Sequence, residues 1–182
     1  MKITETGFDG LLIIEPVVYS DSRGYFMESY NSDTFRKEGI SFSPVQDNES
    51  KSARGVIRGL HYQVGEFTQG KLCQVISGKV LDVAVDIRFG SPTFGKYASV
   101  ELSGEEHNQI WIPPGFAHGF SVLSDEVIFM YKCTALYSKK DERAILYNDI
   151  DLNIDWKISS PVVSEKDLIA KKFKDIERDF IY

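Results

Sequence analysis

Sulfur, imidazole, positive charge and long apolar runs are the scarce commodities of this sequence, and each shortage removes a class of function. Its 182 residues include two cysteines and three histidines. Cys73 and Cys133 lie within apolar, strand-like runs, Lys71-Leu72-Cys73-Gln74-Val75 and Phe129-Met130-Tyr131-Lys132-Cys133, without the paired spacing of a redox or metal motif. They read as buried free thiols, and nothing supports a disulfide framework. No apolar stretch approaches the ~20 residues of a membrane-spanning helix, and the N-terminus lacks the basic-then-apolar order of a secretory signal. The expectation is a soluble, cytoplasmic protein with no membrane partner. Lys and Arg number 21 against 27 Asp and Glu, a net charge of −6. Nucleic acids and anionic lipid surfaces are held by basic patches, so no nucleic acid is expected either. A phosphate-bearing ligand must find a local cluster of cations.

What the chain does have is apolar content (42%) and aromatic content (13%) sufficient for one sizeable core, so a single domain over 1–182 is expected. Short runs rich in Val, Ile, Phe and Tyr, punctuated by Gly, Pro, Asn, Asp and Ser, predict an all-β sandwich or barrel with a few short helices. The predicted strands are Leu11 to Pro16, Tyr25 to Tyr30, Val56 to Gln63, Leu72 to Ser77, Lys79 to Ile87, Ala98 to Leu102, Gln109 to Ile112, Gly119 to Leu123 and Val127 to Thr134. Leu81, Val83, Val85 and Ile87 alternate with Val80, Asp82, Ala84 and Asp86, so the second face either lines a polar cavity or meets water. Gly78 predicts a tight hairpin. Ser32 to Lys37, followed by Gly39, predicts a short helix capped by its serine, and a second begins near Ser164 and runs through Ala170. Asn148 to Lys157, rich in Asp and Asn, predicts a surface connection.

Two histidines stand in notable company: Arg58-Gly59-Leu60-His61-Tyr62-Gln63 and Pro113-Pro114-Gly115-Phe116-Ala117-His118-Gly119-Phe120. His107, in a polar turn after Gly104-Glu105-Glu106, is not a candidate. The Pro-x-Gly-x-x-His pattern ending at His118 resembles the second half-motif of the cupin superfamily, a jelly-roll barrel whose interior often holds a metal. A mononuclear site needs three or four converging ligands, and Gln63 stands where metal-binding cupins place a second His, so no metal is expected. An unligated imidazole inside a barrel is suited to proton transfer. A satisfied core histidine is the alternative, weakened by Arg58, Lys71 and Tyr131 in neighbouring predicted elements.

Over nearly its whole length the sequence resembles the dTDP-4-dehydrorhamnose 3,5-epimerase family. The resemblance is carried by Asp21-Ser22-Arg23-Gly24-Tyr25-Phe26-Met27-Glu28, Gln46-Asp47-Asn48-Glu49-Ser50, Arg58 to Gln63, Gly70-Lys71-Leu72, Val83-Ala84-Val85-Asp86-Ile87-Arg88, Ser91-Pro92-Thr93-Phe94-Gly95, Pro114 to Phe120 and Tyr131-Lys132-Cys133-Thr134, in matching order and separation. It implies a homodimeric, cupin-type jelly roll that needs no cofactor and inverts carbons 3 and 5 of a dTDP-linked 4-keto-6-deoxy sugar. A C4 ketone acidifies both hydrogens, so the reaction needs a base, a donor for the enolate oxygen and an acid on the opposite face. By resemblance, His61 is the base, Asp167 the carboxylate that orients it, Tyr131 the acid and Lys71 the oxyanion partner.

Read without the resemblance, each residue keeps a plainer alternative: Asp167 as part of a helix cap begun by Ser164, Tyr131 as a strand tyrosine, Lys71 as a solvated loop lysine. Arg23 and Arg58 match phosphate-side arginines, whose forked guanidinium suits phosphate oxygens. Tyr137 matches a ring that stacks on thymine, and Glu28, Gln46, Asn48, His118 and Glu142 match other ligand contacts, some supplied by the second subunit. Gln46 and Asn48 also read as turn residues. The sequence departs from the family pattern in the proline-free loop Val64-Gly65-Glu66-Phe67-Thr68-Gln69, at Tyr97 in place of tryptophan and at Asn153 in place of glycine. A relative that inverts one carbon, or moves the ketone, uses the same base and acid and is the alternative function.

Overall fold

Strand-forming residues dominate, and the computed structural model, which describes residues 1–182, is accordingly built on two facing sheets. The elements are β1 (Lys2–Glu5), β2 (Leu12–Glu15), β3 (Val18–Asp21), β4 (Gly24–Met27), α1 (Ser32–Lys37), β5 (Gln46–Ala53), β6 (Val56–Gln63), β7 (Lys71–Ser77), β8 (Lys79–Asp86), β9 (Tyr97–Ser103), β10 (Gln109–Ile112), β11 (Phe116–Val122), β12 (Glu126–Cys133), β13 (Glu142–Ala144), β14 (Val162–Val163) and α2 (Glu165–Leu168). The first sheet has the order β1-β2-β10-β7-β12-β5, and the second β13-β6-β11-β8-β9 with β14 added beside β6. This is an all-β jelly-roll sandwich. The β3–β4 hairpin pairs with neither sheet. No helix is long and apolar enough to cross a membrane.

The core between the sheets takes Cys73, Val75 and Phe129 from the first and Val80, Ala84, Phe116, Phe120 and Val122 from the second. Removing a Val, Leu or Phe side chain of this kind from water contributes ~1.5–3 kcal/mol. Strand β8 is buried along both faces, which corrects the solvent-facing alternative for its second face. Val80, Asp82 and Ala84 turn between the sheets, and Leu81, Val83 and Val85 turn outward, where Ile145, Leu152 and Trp156 cover them. Asn148 to Lys157 is a surface connection, as expected, that also turns an apolar cover inward: Asp149, Leu152 and Trp156 are buried, and Trp156 donates from Nε1 to the Tyr147 carbonyl at 2.7 Å. Asp86, also fully buried, is matched by Arg88, Ser91 and Thr93. Burial pushes its carboxyl up, but those donors outweigh burial and hold it below the usual range.

Several local expectations need correction. Gly78 (φ +87°) does not close a hairpin, because β7 and β8 lie in opposite sheets; the chain turns across the sandwich there, and an added Cβ would sit 2.2 Å from the Glu126 carbonyl oxygen. The cap of α1 is Asn31, whose Oδ1 accepts from Asp33 N (3.0 Å) and Thr34 N (3.3 Å), so Ser32 is already helical. Gln46 and Asn48 are in strand β5 and not in a turn. The helix expected to reach Ala170 stops at Leu168.

Candidate active site

Strands β6 and β11 run antiparallel with His61 and His118 as direct partners. Just beside them the two backbones approach so closely that a Cβ on Gly59 (φ +127°) would lie 2.5 Å from Gly119 Cα and 2.8 Å from the His118 carbonyl oxygen. Only glycine fits, and this contact holds the two strands, and with them both histidines, side by side.

His61 donates from Nε2 to Asp167 Oδ1 at 2.6 Å, and the other carboxylate oxygen lies 3.4 Å from the Gly59 N–H. Asp167 is buried while His61 is partly open. Asp167 makes both contacts: its backbone N–H donates to the capping Ser164 hydroxyl at 3.2 Å, leaving its carboxylate free for the imidazole. Burial pushes the Asp167 carboxyl up, but the hydrogen bond and charge of His61, with Gly59 N–H and Ser164, outweigh it and hold the group below its usual range. The carboxylate thus stays charged, and Nδ1 of His61 remains to take a proton.

The opposite wall comes from the facing sheet. Tyr131 lies on β12, and Lys71 begins β7 with its Nζ 5.9 Å from the Tyr131 ring centre. Burial, and then the neighbouring Cys133 and Cys73, push the phenol up to about 12, so it keeps its proton at neutral pH. A cavity of about 520 Å³ is lined by Arg58, His61, Lys71, His118, Tyr131 and Asp167 among others. A second, of about 240 Å³, is lined by Gln46, Asn48, Tyr137 and Glu142 together with the same His61, Lys71 and Tyr131. The two are halves of one cleft joined at those three side chains.

Around this junction the polar residues brace one another. Arg58 donates from Nε to Ser52 Oγ at 3.0 Å, which aims its guanidinium at the larger cavity. Gln46 donates to Asn48 Oδ1 (2.9 Å) and accepts from Tyr137 N (2.8 Å). Glu142 accepts from the Tyr137 hydroxyl at 3.0 Å and pairs with Lys166 at 2.5 Å. Burial would raise the Glu142 carboxyl, but Lys166, Tyr137 and His61 hold it low. His118 is buried against Asp82, Nε2 to Oδ2 at 2.9 Å.

Arg23 and Glu28 are not brought to the cleft. Arg23 is paired to Asp21 at 2.6 Å on the exposed β3–β4 hairpin, and Glu28 accepts from Asn31 at 2.6 Å beside α1. His107 packs at a tilt against Tyr25, ring centres 4.2 Å apart, and lines neither cavity. Gln63 is a tie between loops: it donates to Phe67 O (2.7 Å) and Leu136 O (3.0 Å) and accepts from Ser138 N (2.7 Å). Sequence reasoning missed two cleft residues. Lys166 precedes Asp167 on α2, and Ser50 carries a buried hydroxyl with no partner. The signal for Ser50 is the alternation Gln46, Asn48, Ser50, Ser52 on one face of β5.

Comparison with known proteins agrees with this geometry. The family model for dTDP-4-dehydrorhamnose 3,5-epimerase matches residues 5–175. A dTDP-4-dehydrorhamnose 3,5-epimerase of Shigella flexneri is 51% identical over 178 residues, 97% of this chain and 98% of the relative. The crystal structure of a Legionella pneumophila dTDP-6-deoxy-D-glucose-3,5-epimerase in complex with dTDP-4-keto-L-rhamnose superposes with a TM-score of 0.95 at 49% identity, covering 100% of this chain and 98% of the other. More distant is a 3'-monoepimerase of Streptomyces bikiniensis in complex with dTDP-quinovose, with a TM-score of 0.87 and 33% identity over 92% and 86% of the two chains.

Proposed function

The chain belongs to the dTDP-4-dehydrorhamnose 3,5-epimerase family, and from that premise we propose that it converts dTDP-4-dehydro-6-deoxy-D-glucose to dTDP-4-dehydro-L-rhamnose by inverting carbons 3 and 5. The observation that carries the reading is the placement of an imidazole–carboxylate pair and a neutral phenol on opposing sheets of one cleft, with a lysine beside them.

In this reading His61 Nδ1 takes the hydrogen from the carbon next to the ketone, and Asp167 stabilises the resulting imidazolium. The electron pair moves onto the ketone oxygen, where Lys71 meets the developing charge. One such donor is worth ~10²–10³ in rate. Tyr131 then gives its phenolic proton to the other face of the same carbon, inverting it. The phenolate and imidazolium return to their starting states by exchange with solvent, so each inverted carbon carries a solvent hydrogen. General acid–base catalysis by such a pair contributes ~10²–10⁴-fold. Arg58 and Lys166 supply cations for the diphosphate, and Tyr137, braced by Glu142, offers its ring to thymine.

The same proposal includes a homodimer. Arg23 and Glu28 match ligand-contacting positions yet lie outside the cleft of their own chain, on and beside a hairpin exposing Tyr19, Tyr25 and Phe26. A second copy that lays this hairpin across the cleft brings them to the nucleotide. A cytoplasmic setting and a single domain belong to the proposal too: a dTDP-sugar carries charges that do not cross a bilayer unaided, and cleft residues are drawn from 46 through 167.

Proton NMR of the product formed in deuterated water tests the reaction. Deuterium at both C3 and C5 is the expected result. Label at a single carbon assigns a monoepimerase, and no label at either sinks the reading.

A further inference from the structure

Four aspartates are fully or nearly buried in this fold, and three have both oxygens matched. Asp86 is held by Arg88, Ser91 and Thr93, Asp149 by the Asp151 and Phe173 amides, and Asp167 by His61 and Gly59. Asp82 is the exception. Its Oδ2 meets His118, but its Oδ1 is buried with no partner. A carboxylate oxygen enclosed without a donor calls for a cation or a water.

The surroundings favour a cation. Cys73 Sγ, from the first sheet, lies 4.0 Å from His118 Nε2, and His118 Nε2 is 2.9 Å from Asp82 Oδ2. One donor atom from each of the three residues lies within 4.8 Å of the others, and all three side chains are buried. Ligands bonded to one tetrahedral Zn²⁺ stand roughly 3.2–3.8 Å apart, so these donors need to move by less than about an ångström. A thiolate, a carboxylate and a neutral imidazole balance the two charges of the ion, which suits a dry interior. His118, alone of the three, also lines the large cavity, which gives the ion its way in.

We infer that Cys73, Asp82 and His118 form a site for a soft divalent transition ion, Zn²⁺ foremost, whose occupation blocks the cleft. The ion forms bonds to sulfur, oxygen and nitrogen, and the Cys73 thiol releases its proton to solvent. Burial, with Asp82 nearby, keeps that thiol protonated until the ion replaces the proton. The site is no part of the epimerase chemistry. It withdraws His118 from the ligand and places a cation on the cleft floor. The binding claim stands alone, and the inhibition claim rests on the proposed epimerase reading.

The test is titration of metal-free protein with Co²⁺ and Zn²⁺. One equivalent of Co²⁺ gives a thiolate-to-cobalt charge-transfer band that Zn²⁺ bleaches, and one equivalent of Zn²⁺ lowers the epimerisation rate at least about tenfold, reversed by a chelator. Cys73→Ser abolishes the band and raises the half-inhibiting Zn²⁺ concentration at least about tenfold, each protein being compared with its own metal-free rate. Asp82→Asn keeps the thiol but weakens Co²⁺ binding by a similar factor, which guards against a misfolded Cys73→Ser. No band in the wild type, or a band that persists in Cys73→Ser, overturns the site. A band with undiminished epimerisation overturns the inhibition, and a metal-free protein without epimerase activity fails the functional reading and leaves the band to be judged by itself.

Discussion

Replacing Asp167 with asparagine keeps the shape of the side chain and removes its charge. The backbone N–H that satisfies the Ser164 cap is untouched, so helix α2 is preserved. The carboxylate now accepts from two donors, the His61 ring at 2.6 Å and the Gly59 amide at 3.4 Å. An asparagine has one acceptor oxygen and must turn its NH₂ toward one of those donors. If the oxygen faces His61, the ring keeps its tautomer but loses the charge that stabilises the imidazolium. If the NH₂ faces His61, Nε2 must accept, the proton moves to Nδ1, and the proposed base is idle. A charge-assisted hydrogen bond contributes ~1.5–3 kcal/mol against ~1 for a neutral one, so the first orientation costs about 1–2 kcal/mol. At 1.36 kcal/mol per tenfold in rate, with the idle population added, kcat falls about 10- to 100-fold. KM stays within about twofold, because Asp167 orients the base and does not grip the nucleotide. Steady-state NMR assays on matched, folded proteins read both constants. A turnover within twofold of wild type, or a loss carried wholly by KM, would refute the orienting role.

Other consequences can be measured alongside. Because the Asp167 carboxyl is held below its usual range, its share of stability is present above the unfolded value of ~3.9 and is lost as pH falls through the lower folded value. The stability gap between wild type and Asp167→Asn, followed by denaturant melts, is expected to shrink as the pH falls below about 4. Gly59→Ala puts a methyl group 2.5 Å from Gly119 Cα at φ +127°. It should cost at least ~2 kcal/mol and lower Tm by about 4–8 °C in a chain of this length, and calorimetry showing no drop would contradict the close-packing argument. Lys71→Gln should cut kcat ~10²–10³-fold with little change in dTDP affinity, measured by turnover and calorimetric binding. Arg23→Ala and His61→Ala, each inactive alone, should regain about a quarter of wild-type activity when refolded as an equal mixture, because half the dimers then hold one intact shared site. No recovery on mixing would show that Arg23 does not act in trans.

Patterned apolar strands were readable in the sequence because strand propensity is local, whereas the roles proposed for His61, Lys71, Tyr131 and Asp167 came from the family resemblance, since each side chain alone kept a plainer reading. Which sheet each strand joins was not readable. Lys79 to Ile87 alternates like a half-exposed strand, yet both faces are buried, since Asp82 and Asp86 find partners inside and a distant segment, Ile145 to Trp156, covers the outside. Strand β5 escaped notice because Gln-Asp-Asn-Glu-Ser-Lys-Ser carries no apolar residue, and its pairing with β12 supplies what propensity lacks. Gly78 was legible as a turn, but a change of sheet and a hairpin need the same left-handed glycine. Lys166 carries no sequence signal of its own, since a lysine in the first turn of a short helix reads as solvated, yet it reaches the cleft beside Asp167. The cap against catalytic carboxylate choice was not a choice, because backbone and side chain of Asp167 serve different partners.

The account stands on a proton leaving one face of the sugar to His61 and another arriving on the opposite face from Tyr131. Tyr131→Phe, incubated with the 4-keto sugar nucleotide in deuterated water, separates the two events. The expected outcome is deuterium entering C3 or C5 of recovered, uninverted substrate while inverted product falls at least about 100-fold. Inverted product at the wild-type rate, or a complete loss of exchange into substrate, would contradict the assignment of base and acid to opposite walls.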